Sequence, residues 1–140
     1  MSNRTPSVGT LVEAVAFAAS KHRDQRRKDV AASPYINHPI ALANVLANEG
    51  GVTNLTALCA AVLHDTVEDT DTTEQELAER FGNDITSVVM EVTDDKSLDK
   101  ARRKELQIEH APHMSYAARL VKLADKISNL RDILASPPVD

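Results

Sequence analysis

The sequence predicts an all-α protein, and three observations carry that expectation. Apolar residues recur at helical spacing in one segment after another, and no segment alternates as a half-buried strand would. Small and aliphatic residues supply most of the 42% hydrophobic content, while aromatic residues make up 3% and Trp is absent. That balance suits packed helices better than a sandwich or barrel. A chain of 140 residues has room for one domain around one core.

Taken in order, Val8 to about Arg23 reads as a first helix, with Leu11, Val12, Val15, Ala18 and Ala19 on its apolar face. Residues 24–37 are polar, contain Pro34, and read as a loop. Pro39 suits the first turn of a second helix that runs to about Asn48 and is broken by Gly50-Gly51. Asn54 is the expected N-cap of a third helix whose Leu55, Leu58, Cys59, Val62 and Leu63 lead to His64. Thr73 and Glu76 match a capping box opening a short helix that ends at Phe81-Gly82. Ile85, Val88, Val89 and Val92 mark the next helix, and Asp99 caps another that Pro112 stops. From Ser115 to about Leu134 the expected apolar stripe is Leu120, Leu123, Ala124, Ile127, Leu130 and Leu134, with Pro137-Pro138 ending the helix. The result is a compact bundle of six or seven helices.

The net charge of −5 argues against a nucleic-acid binder. The charge is nevertheless segregated: residues 21–28 are strongly basic, whereas residues 65–76 hold six carboxylates. A protein that handles a phosphorylated small molecule together with a cation could use both regions. A single cysteine, Cys59, excludes an internal disulfide, fits a reducing compartment and is expected in the core. No signal-like start and no membrane-length apolar run is present, so a cytoplasmic protein without membrane partners is expected.

Chemistry concentrates at a few residues. His64-Asp65 closes the apolar third helix, where both side chains can reach a cation beyond the helix end. A His-Asp pair alone carries almost no information, and a polar helix end explains it as well. Its company raises it. His38 precedes Pro39 at another helix start, and Asp125 sits among Val121, Leu123, Ala124 and Ile127. A carboxylate buried there needs a partner, and a cation is one. Taken alone, a solvated stripe with Lys122, Lys126 and Asn129 is an equal reading. Two imidazoles and two carboxylates would suit Mn²⁺, Fe²⁺ or Zn²⁺.

The order His38, His64-Asp65, Asp125 resembles the signature of the HD superfamily of metal-dependent phosphohydrolases. The flanking strings RRKD, SPYINHPI, VLHDTVEDTDTT, EVTDDKSL and KLADKISNLRD resemble, in that order, the hydrolase domain of RelA/SpoT-type proteins. They are most similar to the stand-alone small alarmone hydrolases of the Mesh type. The resemblance runs from about Leu11 to Asp132. It implies a single HD domain over residues 1–140, with His38, His64, Asp65 and Asp125 as ligands of Mn²⁺ or another divalent ion. It implies that Glu68 and Asp69 form the acid/base pair acting on the attacking water. Without that ligand set, the same acids read as favourable charge at a helix N-terminus.

The resemblance further implies that Arg27 and Lys28 contact the nucleotide, Arg27 by stacking on the base and Lys28 by meeting phosphate. Asn129, one turn beyond Asp125, is the implied ribose contact, and Lys96 and Lys100 are further candidates for phosphate. The implied reaction removes the 3′-pyrophosphate of guanosine tetra- or pentaphosphate, as in the stringent response. The alternatives are removal of the 2′-phosphate of NADPH, another nucleotide phosphohydrolase activity, or a silent nucleotide-binding module. The family usually continues for several helices beyond the NLRD string, so the resemblance implies that those helices are missing here. A homodimer partner could cover the face they leave.

Overall fold

The computed structural model describes residues 5–28 and 31–135. Among the described residues lie seven helices of eight residues or more, one single helical turn and no strand. In chain order these are α1 (Val8–Lys21), α2 (Asn37–Asn44, continued by a wider π turn over Val45–Glu49), α3 (Leu55–Leu63), the single turn α4 (Thr66–Asp69), α5 (Glu74–Phe81), α6 (Asn83–Glu91), α7 (Lys100–His110, followed by a 3₁₀ turn over Ala111–His113) and α8 (Tyr116–Ala135). The all-α expectation holds. The expected stop at Pro137-Pro138 lies outside the described residues.

The helix starts follow local chemistry. Asn54 Oδ1 accepts from the Ala57 N–H, Thr73 Oγ1 from that of Glu76, and Asp99 Oδ1 from that of Arg102. Each cap satisfies a donor that the first helical turn leaves without a partner. Pro39 stands in the first turn of α2, where its missing N–H costs nothing. Ser7 and Thr10 form a reciprocal capping box at α1 that the S/T-x-x-E/Q pattern does not reveal, because Thr10 stands where that pattern has an acid or amide.

The bundle is organised around α3. Ala57 through Leu63 are all buried, so this helix is apolar on every side, as a central helix must be. It packs against α1, α2, α6 and α8, while α5 packs on α6. Small residues (Ala14, Ala18, Ala60, Ala61, Ala118 and Ala124) sit buried in this core beside Leu42, Leu63, Phe81 and Val121. They let the helix axes approach closely. Cys59 is buried there too, and burial pushes its thiol up to about 11, as befits a core residue.

Two apolar faces are rotated from where periodicity puts them. On α8 the buried residues are Ala118, Val121, Ala124 and Ser128, while Leu123 and Leu130 are 58% and 63% exposed. On α1 the buried set is Ala14, Phe17 and Ala18, and Val12 is exposed. On α8 the reason is chemical: its inner face carries Asp125 and small residues, which a hydrophobic count scores as solvent-facing.

Leu63→Ala should therefore destabilise the protein by about 2–5 kcal/mol through loss of burial and an unfilled cavity. Leu123→Ala should stay within about 0.5 kcal/mol of the parent, as an exposed substitution does. Urea unfolding of the two variants checks both numbers.

Candidate active site

Three helices deliver one polar cluster. His38 comes from the first turn of α2, His64 from the C-cap of α3, Asp65 from the residue after it, and Asp125 from the middle of α8. Ligand atoms of His38, His64 and Asp65 lie within 4.8 Å of one another. Asp125 Oδ1 is 2.8 Å from His38 Nε2 and 3.5 Å from His64 Nε2. His64 Nε2 is 3.0 Å from Asp65 Oδ2. His38 and His64 are buried, so these charges meet away from bulk water.

The end of α3 orients this set. A helix C-terminus leaves carbonyls without partners. Here His64 Nδ1 lies 2.8 Å from the Ala61 carbonyl and donates to it, and Thr66 Oγ1 donates to the Leu63 carbonyl at 2.7 Å. With its proton committed at Nδ1, the His64 ring turns Nε2 toward the carboxylates. That Nε2 is buried and lacks a hydrogen bond of good geometry among the described residues. An imidazole with one nitrogen held by a carbonyl and the other facing two carboxylates is the arrangement a divalent cation requires. The donor set fits such an ion, with nitrogen and oxygen ligands from four side chains.

Electrostatics agree with that geometry. Burial works against a charged His64, but the neighbouring Asp125 and Asp65 outweigh it and hold the imidazole up to about 10. Burial likewise opposes ionisation of Asp125 and Asp65, yet His38 and His64 keep Asp125 well below the usual carboxylate range, and His64 and Tyr35 lower Asp65. In the protein without a cation, the His64 proton supplies the positive charge that these carboxylates need.

Glu68 and Asp69 stand on α4, the turn directly after His64-Asp65. Their environments differ. Burial raises the Glu68 carboxyl, partly offset by the Asp94 backbone N–H donating to Glu68 Oε1 at 2.8 Å. Asp69 Oδ1 meets the Lys96 ammonium at 2.5 Å, whereas Glu68 Oε2 lies farther from it, at 3.8 Å. Two adjacent carboxylates in unlike surroundings are what separate acid and base roles demand.

Cluster and pair form the floor of a cleft of about 390 Å³ whose walls include Arg26, Arg27, Lys28, Lys96 and Asn129. Arg27 Nη2 lies 3.1 Å from Asp132 and 3.5 Å from Asn129 Oδ1, which ties the loop before α2 to α8. The structure thus brings together His38, Asp65, Asp125, Glu68, Asp69, Arg27, Lys28 and Asn129 along one cleft, with His64 just beneath. Lys100 is not among the lining residues: it opens α7 and is exposed, while Lys96 from the preceding loop takes the place at the cleft. Tyr35, which no pattern singles out for a role, also lines it and donates its hydroxyl hydrogen to Asp65. No helix among the described residues is long and apolar enough to cross a membrane.

A helical bundle with two imidazoles and two carboxylates converging beside a carboxylate pair defines a class. The family model described as an HD domain matches residues 14–139, and the chain belongs to that family. It is 57% identical over 128 residues to the guanosine-3′,5′-bis(diphosphate) 3′-pyrophosphohydrolase MESH1 of Xenopus tropicalis, a match covering 91% of this chain and 72% of that one. The human protein of the same name is 58% identical with the same coverage. Among solved structures, one reported as a metazoan ortholog of SpoT that hydrolyses ppGpp superposes with a TM-score of 0.90 at 48% identity. That superposition covers 97% of this chain and 76% of that one.

In chelator, the protein's stability should show a defined pH window. His64, raised from 6.5, contributes stability that is complete below 6.5 and disappears as pH rises toward about 10. Asp65 and Asp125, lowered from 3.8, contribute stability that is present above 3.8 and disappears as pH falls. The melting temperature with excess chelator should peak between about pH 4 and 6.5 and decline on both sides. A flat profile from pH 6 to 10 would contradict the charged His64.

Proposed function

We propose that this chain hydrolyses the 3′-pyrophosphate of guanosine 3′,5′-bis(diphosphate) and of its pentaphosphate counterpart, yielding GDP or GTP and pyrophosphate. One observation carries the reading. A chain 58% identical to a human 3′-pyrophosphohydrolase places its His/Asp cluster, a carboxylate pair and basic side chains around a single cleft.

His38, His64, Asp65 and Asp125 would hold the cation: their mixed nitrogen and oxygen character suits Mn²⁺, Fe²⁺ or Zn²⁺, and the family resemblance favours Mn²⁺. When bound, such an ion supplies Lewis acidity toward water and a phosphoryl oxygen. The remaining work falls to the protein's own groups. Water attacks the phosphorus bonded to the 3′-oxygen, that P–O bond breaks, and the 3′-oxygen leaves, taking up the proton that the water has given to Glu68. Glu68, raised by burial, takes the proton from the water. Asp69, paired with Lys96, orients the water, and Lys96 sits where a diphosphate oxygen can share its charge. Arg27 offers a planar cation to the guanine face, Lys28 meets phosphate, and Asn129 reaches the ribose. The single buried Cys59 suits the reducing cytoplasm in which we place the reaction.

Purified protein with Mn²⁺ should release pyrophosphate from guanosine tetraphosphate faster than it releases phosphate from NADPH, assayed side by side; the reverse order would favour the NADPH activity. Asp125→Ala should lose metal and activity together, and full metal content in that variant would remove Asp125 from the ligand set.

Glu68→Gln keeps shape and removes basicity. It should retain metal and nucleotide affinity while turnover falls by about 10²- to 10⁴-fold. Metal analysis, nucleotide binding and pyrophosphate release decide the matter. Near-normal turnover would sink the acid/base assignment, and loss of metal would make Glu68 a ligand.

A further inference from the structure

Tyr35 has no part in the chemistry above, yet it touches both the imidazole–carboxylate cluster and the basic side chains of the cleft. Its hydroxyl donates to Asp65 Oδ2, the same oxygen that lies 3.0 Å from His64 Nε2. Its ring stands 5.8 Å from the Arg27 guanidinium and 4.8 Å from the buried His22 imidazole. The loop is folded to keep it there. The Tyr35 N–H donates to the Gln25 carbonyl at 2.9 Å, the Arg27 N–H donates to Ser33 at 2.9 Å, and Gln25 Oε1 is 2.8 Å from His22 Nδ1.

We propose that Tyr35 is a positioning residue with two separable roles: its hydroxyl orients the Asp65 carboxylate for the cation, and its ring seats the Arg27 guanidinium for the nucleotide base. The inference rests on the proposed function for what the cation and base are. The first role follows from the freedom of an aspartate: the torsion that turns its carboxylate plane is broad and roughly two-fold. His64 Nε2, near but without a hydrogen bond of good geometry, would let that plane swing, whereas the Tyr35 hydroxyl donating to Oδ2 fixes it. Outer partners of this kind commonly change metal affinity by about 10- to 100-fold. The second role follows from Arg27 itself, whose far tip meets Asp132 and Asn129 among the described residues. The aromatic face supplies the lateral contact that keeps the guanidinium plane at the cleft wall.

The two roles come apart in two variants. Tyr35→Phe removes the hydroxyl and keeps the ring, so Mn²⁺ affinity should fall about 10- to 100-fold while KM for guanosine tetraphosphate, measured at saturating Mn²⁺, stays within twofold. Tyr35→Leu should show the same metal loss and a further rise in KM of about 2- to 30-fold, the span of cation–π contacts from exposed to desolvated. Mn²⁺ affinity is read by calorimetry on the intact chain, and melting in chelator verifies that each variant is folded. Unchanged Mn²⁺ affinity in Tyr35→Phe overturns the hydroxyl role, and equal KM values in the two variants overturn the ring role. Should Tyr35→Leu not fold, Tyr35→Phe alone decides the hydroxyl role, and Tyr35→Trp, which restores an aromatic face, decides the ring role by keeping KM near that of the parent. A parent chain that binds no Mn²⁺ overturns the proposed function together with this inference. A parent that binds it while Tyr35→Phe binds equally well overturns the inference alone.

Discussion

Two carboxylates and two imidazoles packed together at the junction of α2, α3 and α8 impose the condition that most of this fold satisfies. A charge taken out of water is costly unless matched, so these groups are stable only in one another's company or around a cation. Meeting that condition demands close helices, and the alanines along α1, α3 and α8 provide them. It also demands that the last carbonyls of α3 be used rather than wasted. The Ala61 carbonyl does double service, since it completes the helix end and sets the His64 tautomer. Helix termination and site assembly are one event here.

The same packing sorts the acids of the molecule. The imidazoles hold Asp65 and Asp125 below the usual carboxylate range, Asp69 pairs with the Lys96 ammonium, and burial raises Glu68. A net charge of −5 conceals this order. Acids line the floor and Arg26, Arg27 and Lys28 stand at the wall, so the field inside the cleft is graded over a short distance. A polyanionic ligand would meet the basic wall before it approached the acidic floor.

Much of this was legible in the residues. His64-Asp65 meant little alone, but the strings around it tied His38 and Asp125 to the same place, and the expectation that a carboxylate amid Val121 and Ala124 needs partners matches the geometry. What could not be read has physical causes. Apart from Val121, the inner face of α8 is built from Ala118, Ala124, Asp125 and Ser128, so ranking by hydrophobicity selected Leu123 and Leu130 on the exposed side. Lys96 and Lys100 are alike in sequence, and only the course of the loop decides which one reaches Asp69. Tyr35 in a polar loop has no periodic signature, since its partners lie on either side of it in the chain. The π turn over Val45–Glu49 left no mark either, although Glu49 at its end forms a bidentate pair with Arg131 of α8.

The helix α7 buries none of its residues, and its polar tie to the preceding loop is Gln107 donating to Asp94. Local opening free energies within one protein run from near zero up to the global value, and segments with little burial lie at the low end. Amide exchange should accordingly be fast along α7 and slow along α3, where every residue from Ala57 to Leu63 is sealed. The loop before α7 holds Asp94 and Lys96, the partners of Glu68 and Asp69, whereas the imidazole–carboxylate cluster rests on the protected helices. Local openings that leave the cluster intact should therefore be able to part the acid pair from its partners, so the two halves of the site differ in the free energy needed to open them.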